Sequence, residues 1–267
     1  MVRTMTLGEY LLDNRASQAG ARLSALSELF DPWTFQHLDG TGVREGWRCW
    51  EIGPGGPSVT QWLAERVGPR GQVLATDLDL SWAVESPRPN VELRRHDVGR
   101  DPPPGAAFDL VHARLVLVHV IDRHRALQTM VQSLRPGGVM LVEDADPQLQ
   151  PLGSLEDARP EQQLANKLRA GFRALLAERG ADLAYGRTLP RLLREAGMIE
   201  VGADAYFPIA MPACAPLEIT TINQLRDALV SKGHATADEI DRHLANVATR
   251  GLDLATSPLI SAWGRRP

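Results

Sequence analysis

The sequence predicts an α/β fold, a mostly parallel sheet with helices on both faces. Three observations carry that expectation. From Trp47 onward, short apolar runs of strand length alternate with stretches of helical periodicity. The first run ends in a glycine-rich turn, Gly53-Pro54-Gly55-Gly56, and the second ends in an acid, Asp77. Strands separated by helices at this spacing pair in parallel through right-handed crossovers, which buries the sheet on both sides.

The elements follow in order. Residues 6–30 place Leu7, Leu11, Leu12, Leu23, Leu26 and Phe30 at helical spacing, in one or two pieces. Asp31-Pro32 reads as an N-cap with proline at the first helical position, so a separate short helix is expected through Leu38. Strand one is expected at 47–52. The next helix sets Val59, Trp62, Leu63 and Val67 on one face and stops at Gly68-Pro69. Strands two and three are expected at 72–77 and 91–95, with a short helical piece at 80–84 between them. Strand four follows the Pro102-Pro103-Pro104-Gly105 linker at 108–112. A helix from Asp122 carries Leu127, Met130, Val131 and Leu134, runs into Pro136-Gly137-Gly138, and gives way to strand five at 139–143. Beyond a loop at 145–160, helices are expected near 161–179, 189–196, 216–231 and 237–249. The last of these opens on a capping box, Thr236 and Glu239. Strand-like runs lie at 199–209 and 259–264.

Composition bounds the function. With 267 residues, 43% apolar and 23% charged, the chain suits one large domain or a core with an appendage. A net charge of −4 argues against a nucleic-acid partner, and Arg94-Arg95 and Arg265-Arg266 read as solvated surface. No run approaches the roughly 18 apolar residues of a membrane helix. The amino terminus shows no signal-peptide pattern, so no membrane partner and a cytoplasmic location are expected. Cys49, in a core strand, reads as a buried free thiol rather than a bridge to Cys214. No spacing of His, Cys and Asp suggests a metal site.

The turn carries the chemistry. Glycines let the backbone bend sharply and approach a ligand that a Cβ would exclude. An acid ending the next strand can accept hydrogen bonds from both hydroxyls of a ribose. Together they point to a cofactor containing adenosine. A dinucleotide fingerprint wants Gly-x-Gly-x-x-Gly, but here the third position is Ser58. A nicotinamide site also has no use for Glu51 at the end of strand one. A cofactor with a cationic tail does, and S-adenosylmethionine (SAM) carries an ammonium there.

On these residues the chain resembles the class I SAM-dependent methyltransferases, closely over 45–145 and more loosely in the terminal strands. Glu51-Ile52-Gly53-Pro54-Gly55 is similar to the family's first motif, and Leu134-Arg135-Pro136-Gly137-Gly138 to its approach to strand five. The resemblance implies that Glu51, Gly53, Gly55 and Gly56 hold the methionine end, with Asp77 and Leu78 at the ribose. It further implies Asp97 and the Val98 backbone at the adenine, and the Ala113 backbone facing the methionine portion. Pro57 departs from the third glycine of many members. The implied architecture is a Rossmann-like, seven-stranded mixed sheet, mostly parallel with its last strand antiparallel, and with helical lid insertions. Residues 1–45 would form an amino-terminal helical lid, and 46–267 the SAM-binding domain with helical caps near 150–196 and 210–250.

The implied activity is methyl transfer to a small, hydrophobic organic acceptor, with the helices outside the sheet choosing it. His119 is the candidate catalytic base if the acceptor must lose a proton, and a structural histidine in its apolar run is the alternative. His112 and Asp144 also fall near strand ends, and either Glu143 or Asp144 is expected to point into the cleft. Tyr10 and the helix around it either close over the bound cofactor or pack in the core, and Phe172, Tyr185 and Met211 either roof the acceptor pocket or pack in the core. Two other readings stay open: a protein that uses SAM without transferring its methyl, for example to promote a cyclisation, and an NAD-dependent oxidoreductase. The oligomeric state, a homodimer included, is open.

Overall fold

The computed structural model describes residues 11–12, 19–83, 88–249 and 251–267. Seven strands form one sheet in the order β3-β2-β1-β4-β5-β7-β6. They are β1 (Arg48–Ile52), β2 (Gln72–Asp77), β3 (Val91–Arg95), β4 (Phe108–Arg114), β5 (Leu134–Ala145), β6 (Ile199–Tyr206) and β7 (Leu259–Arg265). The pairs among β1 to β5 are parallel, whereas β7 runs antiparallel to both β5 and β6. The chain reverses between β1 and β4, which is the switch point where open α/β sheets hold ligands.

The helices are α1 (Ala19–Gly40), α2 (Ser58–Val67), α3 (Arg123–Ser133), α4 (Pro160–Glu178), α5 (Tyr185–Glu195), α6 (Cys214–Ser231) and α7 (Ala237–Ala248), with a 3-10 turn at Leu117–His119. Their starts follow local chemistry. Asp122 caps α3 by accepting the Arg125 N–H, Pro160 opens α4, and Thr236 and Glu239 close a capping box on α7.

The chain divides into two compact units. One comprises Phe30–Ala145, Tyr185–Tyr206 and Leu259–Pro267, and holds the whole sheet. One face of that sheet packs Cys49, Leu110, Val139 and Leu141 against Leu38 of α1 and Val59, Leu63 and Val67 of α2. Helix α5 meets β5 and β7 at Gly186, where a Cβ would lie 2.8 Å from the Asp144 carbonyl oxygen and 2.9 Å from Ile260. The other unit comprises Met1–Leu29, Asp146–Ala184 and Phe207–Pro258. Its core joins Leu168 and Leu175 of α4 to Ile222, Leu225 and Leu229 of α6 and Ile240 of α7. Buried within it, Glu218 accepts from Arg169 at 3.1 Å and lies 2.9 Å from His243 Nε2.

Three local expectations differ from the structure. Asp31-Pro32 does not start a new helix, because α1 runs through Pro32 to Gly40. Proline removes one ladder bond, but the buried side chains Ala25, Leu29, Phe30, Thr34 and Leu38 lie on both sides of it. Packing of a buried face outweighs a local stop signal. Strand β5 begins at Leu134, straight from α3, with the Pro-Gly-Gly segment inside it. Ser81–Ala83 form a turn rather than a helix, and Val84, the rest of that expected helix, lies outside the described residues, as do Leu7 and Tyr10.

Candidate active site

The carboxyl ends of β1, β2 and β3 each present an acid. Glu51 ends β1 fully buried, and its Oε2 accepts the Thr60 hydroxyl of α2 at 2.5 Å. Burial pushes its carboxyl above the ordinary range, while His112 and Thr60 work in the other direction. Asp77 ends β2 and accepts the Asp79 N–H at 3.1 Å. Burial raises this carboxyl too, against the backbone amides of Asp79, Gly55 and Leu78. Asp79 Oδ1 in turn accepts the Ser81 N–H at 3.0 Å and holds the turn that follows. Asp97 follows β3, accepts the Gly99 N–H at 2.9 Å and lies 3.5 Å from Arg100.

The turn between β1 and α2 needs its glycines for two reasons. Gly53 and Gly55 adopt φ of +65° and +61°, which side chains with a Cβ disfavour. A Cβ at Gly53 would also lie 2.3 Å from Val116 Cγ2. Gly56 differs, since a Cβ there would meet nothing within 4 Å. The turn is thus shut by Val116 on one side and open at Gly56 on the other.

The remaining sequence candidates are placed as follows. Ala113 is buried in β4 between Ile52 and Val142. Val98 is buried, and Leu78 is exposed beside Asp77. His119 is half-buried at the end of the 3-10 turn, its N–H bonded to the Val116 carbonyl at 3.0 Å. Glu143 and Asp144 point to opposite faces of β5, as period-two alternation requires.

Sequence reasoning missed a buried polar network on the Glu143 face. Glu143 accepts Thr34 Oγ1 of α1 and Ser261 Oγ of β7, each at 2.6 Å, and lies 3.4 Å from His112 Nε2. Arg114 donates to Thr34 at 2.9 Å and pairs with Asp31 at 2.8 Å. Burial alone would raise Glu143, but His112, Arg114 and Ser261 outweigh it and hold its carboxyl below the ordinary range. The available signal was a run of polar residues at matching positions of adjacent strands: Glu51 opposite His112, and Arg114 opposite Glu143.

Comparison with known proteins bears on this geometry. A family model described as a methyltransferase domain matches residues 50–142, from β1 through β5. The methyltransferase str2 of Strobilurus tenacellus is 33% identical over 172 residues, 63% of this chain and 59% of its own length. The ubiquinone/menaquinone biosynthesis C-methyltransferase UbiE of Vibrio parahaemolyticus is 30% identical over 135 residues, 47% of this chain and 52% of its own. Over the strands that carry the glycine turn and the acids, the chain is similar to methyltransferase domains. The matches span somewhat over half the length of these relatives. The likeness of fold extends further along the chain. Haemonchus contortus phosphoethanolamine N-methyltransferase 2, solved with SAM, superposes with a TM-score of 0.59 at 16% identity, over 99% of this chain and 60% of that one. Among the described residues, no helix is long and apolar enough to cross a membrane.

Proposed function

We propose that this chain binds SAM in the glycine turn between β1 and α2 and transfers its methyl group to a small organic acceptor. The observation that carries the reading is the set of buried or half-buried acids Glu51, Asp77 and Asp97 at the ends of three adjacent strands, around a turn left open at Gly56. That donor set fits the cofactor. Glu51 suits its ammonium, Asp77 with neighbouring Leu78 the ribose diol, and Asp97 with the Val98 backbone the adenine. Gly53, Gly55 and Gly56 give backbone access, and the Ala113 backbone faces the methionine portion.

Bound SAM supplies a methyl made electrophilic by the sulfonium. The chain's own contribution is alignment, which in well-oriented reactions is worth about 7–11 kcal/mol. His119 takes the proton where the acceptor is a hydroxyl. UbiE, named for C-methylation in quinone biosynthesis, supports a small and hydrophobic acceptor. The two buried free thiols, Cys49 and Cys214, suit a reducing, cytoplasmic setting.

Calorimetric titration with SAM and with S-adenosylhomocysteine tests the reading. Replacing Asp77 by alanine removes charge-assisted hydrogen bonds worth about 1.5–3 kcal/mol, so affinity should fall by about 10-fold to 150-fold. Binding by neither ligand to the unaltered chain would overturn the assignment.

A further inference from the structure

Asp144 lies at the carboxyl end of β5, fully buried, on the face opposite Glu143. Its Oδ2 accepts the Val118 N–H at 3.1 Å, and the Leu117 and Ala145 amides also favour its charged form. Its Oδ1 has no partner among the described residues. The other side of the same peptide chain is held as well, since the Val118 carbonyl accepts Arg123 at 3.0 Å. The 3-10 turn is therefore gripped at Val118 by a carboxylate and a guanidinium.

What this turn touches gives the grip its consequence. Val116, just before it, fills the space beside Gly53 that a Cβ would need. Val120, just after it, fills the corresponding space at Gly99, where a Cβ would lie 2.9 Å from Val120 Cγ1. Gly99 in turn donates to Asp97. One turn of chain thus bears on both the glycine loop and the Asp97 loop. It leaves β4 through Leu115, whose φ of +57° is strained for a residue with a side chain. Such a segment needs outside support to keep its shape.

We propose that Asp144 is a positioning residue for cofactor binding: its ionised carboxyl fixes the 3-10 turn, and Val116 and Val120 pass that constraint to the two loops that hold the cofactor. The proposal rests on the SAM reading of the site. Burial pushes the Asp144 carboxyl up to about 7, against the Val118 amide and Arg123, so its charge changes in the neutral range. Among the described residues, Arg123 is the charged group that bears on it. Arg123 stands at the head of α3 with its guanidinium 5.7 Å from the Tyr185 ring of α5. The 3-10 turn carries His119, α5 carries Arg187 and Arg191, the latter bonded to Glu195, and the β7 partner of Asp144 is the apolar Ile260.

The sign follows from the acceptor role. The ionised carboxyl holds the Val118 N–H more strongly than the protonated one, so cofactor affinity rises as pH rises through about 7. The test titrates S-adenosylhomocysteine into the full chain and into Asp144→Asn, at about one pH unit below and above that value. The substitution should weaken binding about fivefold or more on the alkaline side, at the lower end of ordinary coupling between sites. On the acid side the penalty should shrink towards none, because the native side chain is then uncharged too. An equal penalty at both pH values, or none at either, overturns the proposal.

A second measurement serves if the variant does not fold or if no ligand binds. In the unaltered chain, hydrogen-exchange protection of the Val118 amide, corrected for the intrinsic pH effect, should fall on acidification relative to Val73, which donates to Asn90 within the sheet unit. Unchanged relative protection overturns the clamp. Absence of binding at every pH, with Val118 protection still responding, would instead remove the SAM reading.

Discussion

Gly53→Ala separates backbone strain from steric exclusion in the glycine turn. The substitution adds one carbon at φ +65°, in the left-handed region, at a cost of about 1–2 kcal/mol. The same carbon would lie 2.3 Å from Val116 Cγ2. Valine is stiff at χ1, and its neighbour Leu115 already holds φ +57°. Relief therefore means leaving a rotamer well or shifting the strained loop, at about 1–3 kcal/mol. The sum is about 2–5 kcal/mol, read as a fall in the urea midpoint at constant slope. The decisive measurement is a double-mutant cycle with Val116→Ala, which removes the obstructing methyl groups. The double variant should recover about 1–3 kcal/mol relative to the sum of the single changes, leaving the strain in place. Strict additivity would refute the claim that Val116 is what excludes a side chain at Gly53. A Gly53→Ala variant as stable as the native chain would refute both parts.

Two further outcomes are expected. Glu218→Ala leaves Arg169 buried without its counter-charge and His243 without its hydrogen-bond partner, and should cost about 3–5 kcal/mol at neutral pH by urea denaturation. Burial raises Glu218, but Arg169 and His243 outweigh it and hold its carboxyl at about 2, against an ordinary 4.5. That stabilisation is complete above 4.5 and is lost as pH falls towards 2, so the gap between native and variant must close across that window. A gap that stays constant would contradict the pairing. His119→Gln should reduce turnover of a hydroxyl acceptor by about 100-fold or more while leaving S-adenosylhomocysteine affinity near native. Unchanged turnover would return His119 to a purely structural role.

The sequence was most legible where one short segment decides its own conformation. The first four parallel strands, α2, α3 and the capping box of α7 fall where periodicity and cap residues place them. It was least legible where a distant partner decides. Pro136-Gly137-Gly138 reads locally as a stop, yet it belongs to β5. Gly137 donates to the Arg266 carbonyl and Arg266 to the Gly138 carbonyl, both at 2.8 Å, across most of the chain's second half. In the same way Asp31-Pro32 has the residues of a helix start, and the buried side chains to either side carry α1 through it. At the candidate site the three acids and the glycines were readable, because each is a strand-end residue in a recognisable pattern. Thr60, Thr34 and Ser261 were not, since a hydroxyl on α1, α2 or β7 acquires meaning only from the carboxylate it meets.

The buried network explains why the carboxyl ends of these parallel strands can hold charge at all. On the face that carries Glu51 and Glu143, the lower part of each strand is apolar, with Cys49, Leu110, Val139 and Leu141 in one cluster. Two residues further along the same strands, that face becomes Glu51, His112 and Glu143. A buried carboxylate is costly unless its oxygens are satisfied, and Glu143 meets that condition through Thr34, Ser261 and His112. Its partners come from α1, β4 and β7, so the network ties three elements around β5 at the end where the chain leaves each parallel strand. Glu51 stands beside it, and His112 favours its charged form. A cationic ligand would favour that form further. The face is therefore divided along its length: apolar packing secures the strands, and hydrogen-bonded polar groups fix their ends, with Glu143 favoured in its charged form. Period-two alternation shows which residues share a face, but the change of character along it appears only when neighbouring strands are in register.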